Sequence, residues 1–129
     1  MSTAYKPENY STVSPYLVVE GAGGTINFLK QVLGAEELRR FPGEDGGVIH
    51  AEVRIDDTVV MLADGNQNFP PAASHVHVYV EDVDAVYKQA IKAGAESIQE
   101  PMQQSEEEDR RAGVKDDGGT TWWIATKVG

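Results

Sequence analysis

The chain has no cysteine, which excludes disulfides, thiolate metal sites and cysteine nucleophiles and agrees with a reducing compartment. Positive charge is scarce. Lys and Arg number 11 against 21 Asp and Glu, a formal charge of -10 at pH 7. So acidic a surface disfavours phosphate backbones and anionic membranes, and it accommodates a cationic or neutral ligand more readily than an anionic one. There is also no continuous apolar run of about 18 residues, the length a membrane-spanning helix needs. Met1 to Thr12 lack the basic start and apolar stretch of a secretory signal, so a cytoplasmic protein is expected. Neither nucleic acid nor membrane is an expected partner.

What remains is a chain of 129 residues with 40% hydrophobic and 25% charged residues, enough for one compact domain with its own core. The alternation of Val13, Pro15, Leu17 and Val19 reads as a strand whose other face carries Ser14, Tyr16 and Val18. Glu20 to Gly24 break it. Thr25 is placed to cap a helix with Ile26, Leu29, Val32 and Leu33 on one face, and Gly34 is placed to end it. Glu36 to Phe41, Val48 to Ile55 and Thr58 to Ala63 read as three further strands, with a loop at Pro42 to Gly47 and a tight turn at Asp56-Asp57.

The order then repeats. Val76, Val78 and Val80 alternate with His75, His77 and Tyr79 in a strand from Ser74, and Asp82 can cap a helix with Val83, Val86, Ala90 and Ile91, ended by Gly94. Strands follow at Glu96 to Gln99, Gly113 to Asp116 and Thr120 to Thr126, while Met102 to Arg111 is too polar to assign. Lys30-Gln31 before Gly34-Ala35-Glu36 matches Lys88-Gln89 before Gly94-Ala95-Glu96. These matches fall at equivalent places in two runs of the same elements, which implies a duplicated βαβββ unit, module one at about 12–64 and module two at about 74–127.

At its end the chain runs Glu108-Asp109-Arg110-Arg111-Ala112-Gly113-Val114-Lys115-Asp116 and then Thr121-Trp122-Trp123-Ile124-Ala125-Thr126. This resembles the closing pattern of the PhnB-like branch of the vicinal oxygen chelate superfamily (glyoxalases, bleomycin-resistance proteins and dioxygenases): Gly-Asp-Arg, a strand, Asp-Pro-Phe-Gly, then Trp-x-Ile-Ala-Thr. Leu33-Gly34-Ala35-Glu36 and Val80-Glu81-Asp82-Val83-Asp84 support the likeness. Asp117-Gly118 stand where Pro-Phe is usual, so a looser turn without its aromatic lining is expected.

The resemblance implies an α+β fold, two βαβββ modules forming a curved mixed sheet that bears a cleft, with the helices on the outer face. Strand side chains alternate between faces, so Ala51, Val53, Ile55, Val60, Leu62, Val76, Val78, Val80, Trp122 and Ile124 are expected in the core. Ser14, Tyr16, His50, Glu52, Arg54, Met61, His75, His77, Tyr79, Thr121 and Trp123 are expected to line the cleft.

Metal-dependent members take ligands from the first, fourth, fifth and eighth strands, positions that fall here on Ser14, Met61, His75 and Trp123. Only His75 is a competent ligand, so no metal centre and no other cofactor are expected. A divalent metal could otherwise draw only on His75, His77, His50 and Glu52, two pairs spaced i, i+2 on strands. Ser14 lacks a recognisable base, the glycines at 21, 23 and 24 lack the spacing of a phosphate loop, and Glu106 to Asp109 read as a solvated, mobile flap. The expected function is a cleft that binds a small aromatic or cationic molecule through Tyr16, Met61, His77, Tyr79 and Trp123. The competing reading is a lyase, isomerase or dioxygenase with an atypical metal set, or with His75 or His77 as general base. A homodimer is expected from the exposed edges of an open sheet.

Overall fold

The computed structural model describes residues 4–128. Its elements are β1 (Tyr16–Val19), α1 (Ala22–Leu33), β2 (Glu36–Pro42), β3 (Val48–Ile55), β4 (Thr58–Asp64), β5 (Ser74–Tyr79), α2 (Val83–Lys92), β6 (Glu96–Met102), β7 (Arg110–Lys115) and β8 (Thr120–Thr126), with a short 3-10 turn at Glu44–Gly46. The strands make two separate mixed sheets in the order β1-β4-β3-β2 and β5-β8-β7-β6. In each sheet the first strand runs parallel to the last one of its module and the other pairs are antiparallel. This is the expected α+β architecture of paired βαβββ modules. Packing, not strand pairing, joins the two sheets.

The core follows from the alternation. Ala51, Val53, Val60, Leu62, Trp122 and Ile124 are buried, and Ile55, Val76, Val78 and Val80 are half-buried against them. α1 packs on all four strands of its sheet, α2 packs on β6, β7 and β8, and the two helices pack on each other, so residues of both modules share one hydrophobic cluster. Trp122 is fully buried, and its indole Nε1 donates to Asp116 Oδ2 at 2.8 Å, which satisfies the one polar atom the ring carries inward.

Several boundaries differ from expectation, each for a local reason. Pairing of β1 begins only at Tyr16, opposite Met61, so Val13 is exposed and Ser14 precedes the strand, its hydroxyl sharing a hydrogen bond with Ser11. Thr25 is not the cap: α1 begins at Ala22, after Gly21 in the left-handed region. The cap comes from outside the helix. Asp64, at the end of β4, accepts from the Ala22 N–H at 2.6 Å and from the Val48 N–H at 2.7 Å, placing a carboxylate at the positive end of the helix. Ile91 lies on the exposed flank of α2 rather than in the core. β6 continues through Pro101 to Met102, which an edge strand allows because its outer N–H groups need no partner. β7 starts at Arg110, earlier than the apolar pattern suggests, leaving only residues 103–109 of the unassigned stretch outside the strands. The Asp117-Gly118 turn is docked rather than loose. Gly118 is buried, its carbonyl accepts from Glu20, and a Cβ there would stand 2.5 Å from Thr25 Oγ1.

Candidate functional site

The face of each sheet turned away from its helix carries the residues expected to line a cleft. In module one the register aligns Tyr16, Met61 and Glu52 across three strands, and a bulge at Leu38 in β2 brings Arg39 opposite Glu52 and Phe41 opposite His50. Without that shift in register, Leu38 and Arg40 would occupy this face. The bulge thereby supplies a cation to a carboxylate that is only 2% exposed.

Glu52 is the hub of a network. Arg39 Nε donates to its Oε1 at 2.8 Å, the Tyr10 hydroxyl donates to the same oxygen at 2.5 Å, and His50 Nε2 lies 2.7 Å from Oε2. The second ring nitrogen of His50, Nδ1, lies 3.1 Å from the Tyr16 hydroxyl. Burial alone would push the Glu52 carboxyl up, but hydrogen bonds from Arg39, Tyr10 and His50, with the Arg39 charge, outweigh it and hold the group at about 2. The same contact raises Tyr10, whose hydroxyl gains from remaining protonated beside the carboxylate. The segment before β1 is fastened here as well, since Arg54 donates to the Asn9 carbonyl and the Val59 N–H donates to Ser11 Oγ.

Beside this network lies a cavity of about 740 Å³, walled by Tyr16, Val18, Val48, Ile49, Ala63 and Phe69. Glu44 and Asp64 border it. Tyr16, Ile49 and Phe69 are large apolar side chains left 52%, 65% and 69% exposed, so the wall is open to water. Phe69 is held in place by its loop: Asn66 Oδ1 accepts from the Asn68 and Phe69 N–H groups, and a Cβ on Gly65 would clash with Pro71 at 2.4 Å.

Module two uses other chemistry. Trp123 Nε1 donates to His75 Nδ1 at 3.1 Å with the rings stacked at 9°, His77 meets Tyr79 edge-on at 4.8 Å, and Arg111 lies over the Trp123 ring. The Tyr79 hydroxyl donates to Asp109 at 3.0 Å, and that bond raises the tyrosine. A smaller cavity of about 280 Å³ is bordered by His77, Met102 and Arg111 together with Glu107, Glu108 and Asp109. Part of the run read as a solvated flap thus stands beside a cleft-face histidine. Thr121 is buried next to His75 in the register.

The structure therefore brings together Tyr16, His50 and Glu52, and separately His75 with Trp123 and His77 with Tyr79. It does not unite His75 and His77 with His50 and Glu52: among the described residues no three His, Asp or Glu side chains are gathered as metal ligands. The four positions that the resemblance assigns to metal ligands do not fit a divalent ion here. Met61 offers a thioether, Trp123 an N–H, Ser14 a hydroxyl bonded to Ser11, and the Nδ1 of His75 is taken by Trp123. Sequence reasoning missed Tyr10, Arg39, Ile49, Phe69 and Asp64. Tyr10 and Phe69 lie outside any periodic segment, Arg39 depends on the bulge, and Asp64, an acid at the end of β4, has its counterpart in Thr126 at the end of β8, whose hydroxyl accepts from the Val83 N–H that starts α2.

None of the helices among the described residues is long and apolar enough to cross a membrane. A family model described as the Glyoxalase/Bleomycin resistance protein/Dioxygenase superfamily matches residues 12–124. An uncharacterized protein of Mycobacterium bovis is 39% identical over an alignment of 94 residues, with 64% of this chain and 62% of that protein covered, so the match spans less than two thirds of the relative. TnmS3, an antibiotic binding protein from Streptomyces sp. CB03234, is similar with a TM-score of 0.68 at 20% identity over 92% of this chain and 99% of that one. The fosfomycin resistance protein FosX of Listeria monocytogenes, in complex with Mn(II) and sulfate, is similar with a TM-score of 0.71 at 15% identity over 92% and 90%. At these identities the likeness to the solved structures is one of fold.

Proposed function

Because the chain belongs to the glyoxalase/bleomycin resistance protein/dioxygenase superfamily, we propose that it binds a small aromatic or cationic molecule without a metal centre, in the open cavity of module one. The observation that carries this is the cavity itself, about 740 Å³ with an aromatic and aliphatic wall that water now covers. A flat apolar ligand would displace that water. The buried area of an aromatic ring, at roughly 25 cal/mol per Å², supplies most of the driving force. Glu44 at the border and a net charge of -10 favour a cation over an anion. Asp64 contributes little charge recognition, because both its oxygens are spent on backbone N–H groups.

The reading extends to a PhnB-like single-domain protein of the cytoplasm that acts as a homodimer. Support for the dimer comes from the two open faces. Module one exposes Tyr16, Ile49 and Phe69, and module two exposes Tyr79, Ile98 and Met102, a larger apolar display than a solitary chain gains from. The module-two face of a second copy is the cover we assign to the module-one cavity.

Isothermal titration calorimetry with planar aromatic cations and neutral polycyclic aromatics tests the binding reading. One site per chain at micromolar affinity is expected, weakened about tenfold by Phe69→Ala through loss of the ring's packing. Absence of heat for every ligand up to high micromolar concentration would remove the proposal.

A further inference from the structure

We propose that Tyr16, His50 and Glu52 form a directional hydrogen-bond relay that makes the Tyr16 oxygen an acceptor, so that the cavity selects aromatic ligands bearing a hydroxyl or N–H donor. This rests on the cavity's being the ligand site. With Glu52 ionised and His50 a neutral imidazole, the direction of the relay follows from the donor and acceptor inventory of the two contacts. Glu52 is ionised at neutral pH, as a carboxyl held at about 2 must be, and an ionised carboxylate only accepts. His50 Nε2, 2.7 Å from Oε2, therefore carries its hydrogen. In the neutral imidazole Nδ1 is then bare and can only accept, so the Tyr16 hydroxyl, 3.1 Å away, spends its one hydrogen on it. Only lone pairs remain on the Tyr16 oxygen. A ligand that reaches it must bring the hydrogen.

Anchoring of the segment before β1 explains Tyr10 and Arg39 but not this arm of the network. Neither donor on Glu52 Oε1 involves His50, whose far nitrogen is committed to a side chain 52% exposed at the cavity wall. Glu52, 2% exposed, cannot touch a ligand and acts as a positioning residue, as does His50. Tyr16 is the group that meets the ligand.

The probe pair is 2-naphthol and 2-methoxynaphthalene, one ring system with and without the donor. Calorimetric affinities are compared as the ratio of naphthol to ether. Loss of one neutral hydrogen bond should lower that ratio by about tenfold from wild type to Tyr16→Phe, the ratio cancelling any change in ring packing common to both probes. In Glu52→Gln the amide can donate or accept, the histidine tautomer is no longer imposed, and the ratio should fall about threefold. His50→Leu, at a half-buried position, gives the same test should Glu52→Gln unfold. A ratio unmoved by Tyr16→Phe, or one that favours the ether in wild type, overturns the relay while leaving the cavity as a binding site. Failure of both probes to bind overturns the cavity reading and the relay with it.

Discussion

The two modules share one element order and one strand order, yet the same row of residues across their sheets carries opposite chemistry. In module one the row reads Tyr16, Met61, Glu52, Arg39, and in module two it reads His77, Trp123, Gly113, Gln99. Where module one buries a carboxylate, module two has no side chain at all. The indole of Trp123 fills that space instead, so close that a Cβ on Gly113 would lie 2.6 Å from its ring. Module one thus closes its row with charge and keeps an apolar cavity beside it, whereas module two closes its row with an aromatic ring and keeps a polar, acidic cavity beside it. Duplication conserved the frame and the contents of the rows diverged.

The comparison breaks most severely in the core, where the modules are supposed to differ least. Trp122→Ala should cost about 3–5 kcal/mol, since it empties a fully buried indole site and strands Asp116, and Leu62→Ala in module one should cost about 2–5 kcal/mol. Because both side chains belong to one hydrophobic cluster, each variant should melt in a single calorimetric transition at lower temperature. Two resolved transitions in either would mean that the modules fold separately and that the shared core is not cooperative.

Next in size is the charge of module one. Glu52→Gln should destabilise the protein by about 1–3 kcal/mol, as Arg39, Tyr10 and His50 lose an ionised acceptor. The sign of the pH effect follows from the direction of the shift. Glu52 is depressed to about 2 in the folded chain from 4.5, so its contribution is complete above the ordinary carboxylate range and is lost as pH falls through that range towards 2. Denaturant midpoints measured from pH 6 to pH 2.5 should fall more steeply for wild type than for Glu52→Gln. Parallel slopes would show that the carboxylate is not held ionised by its partners.

Much of this contrast was legible in the sequence, and the illegible part has a definite physical source. Period-two alternation sorted Ala51, Val53, Val60 and Leu62 from His50, Glu52, Arg54 and Met61 correctly, because a sheet with one helix-covered face obliges every second residue to be apolar. Alternation cannot register an inserted residue. The bulge at Leu38 therefore hid the Arg39 partner, and Glu52 read as a cleft-lining residue and a possible metal ligand rather than as the hub of a network. Capping failed in the same way: Thr25 is a good local candidate, but the first turn of α1 is satisfied by Asp64, 42 residues from Ala22 in sequence. The cavity wall escaped because Phe69 lies in a loop, whose course no periodicity encodes, and because Ile49 is the residue of β3 skipped by a second register shift, between Phe41 and Pro42.

The smallest expected effect decides whether the two rows ever meet. Gly113→Ala adds one methyl against the half-exposed Trp123 ring, which can swing outward, so the cost in stability should stay below about 1 kcal/mol. The swing breaks the bond from Trp123 to His75, and tryptophan emission should shift accordingly. If the module-two face of a second copy covers the module-one cavity, the same substitution should weaken 2-naphthol two- to threefold, although Gly113 lies in the other module and does not line that cavity. Unchanged affinity would confine the site to module one, and a monomer by light scattering across concentrations would remove the covering partner outright. A loss of affinity that vanishes on dilution to monomer would place the aromatic row of one chain over the charged row of another, which makes the divergence between modules a division of labour within one site.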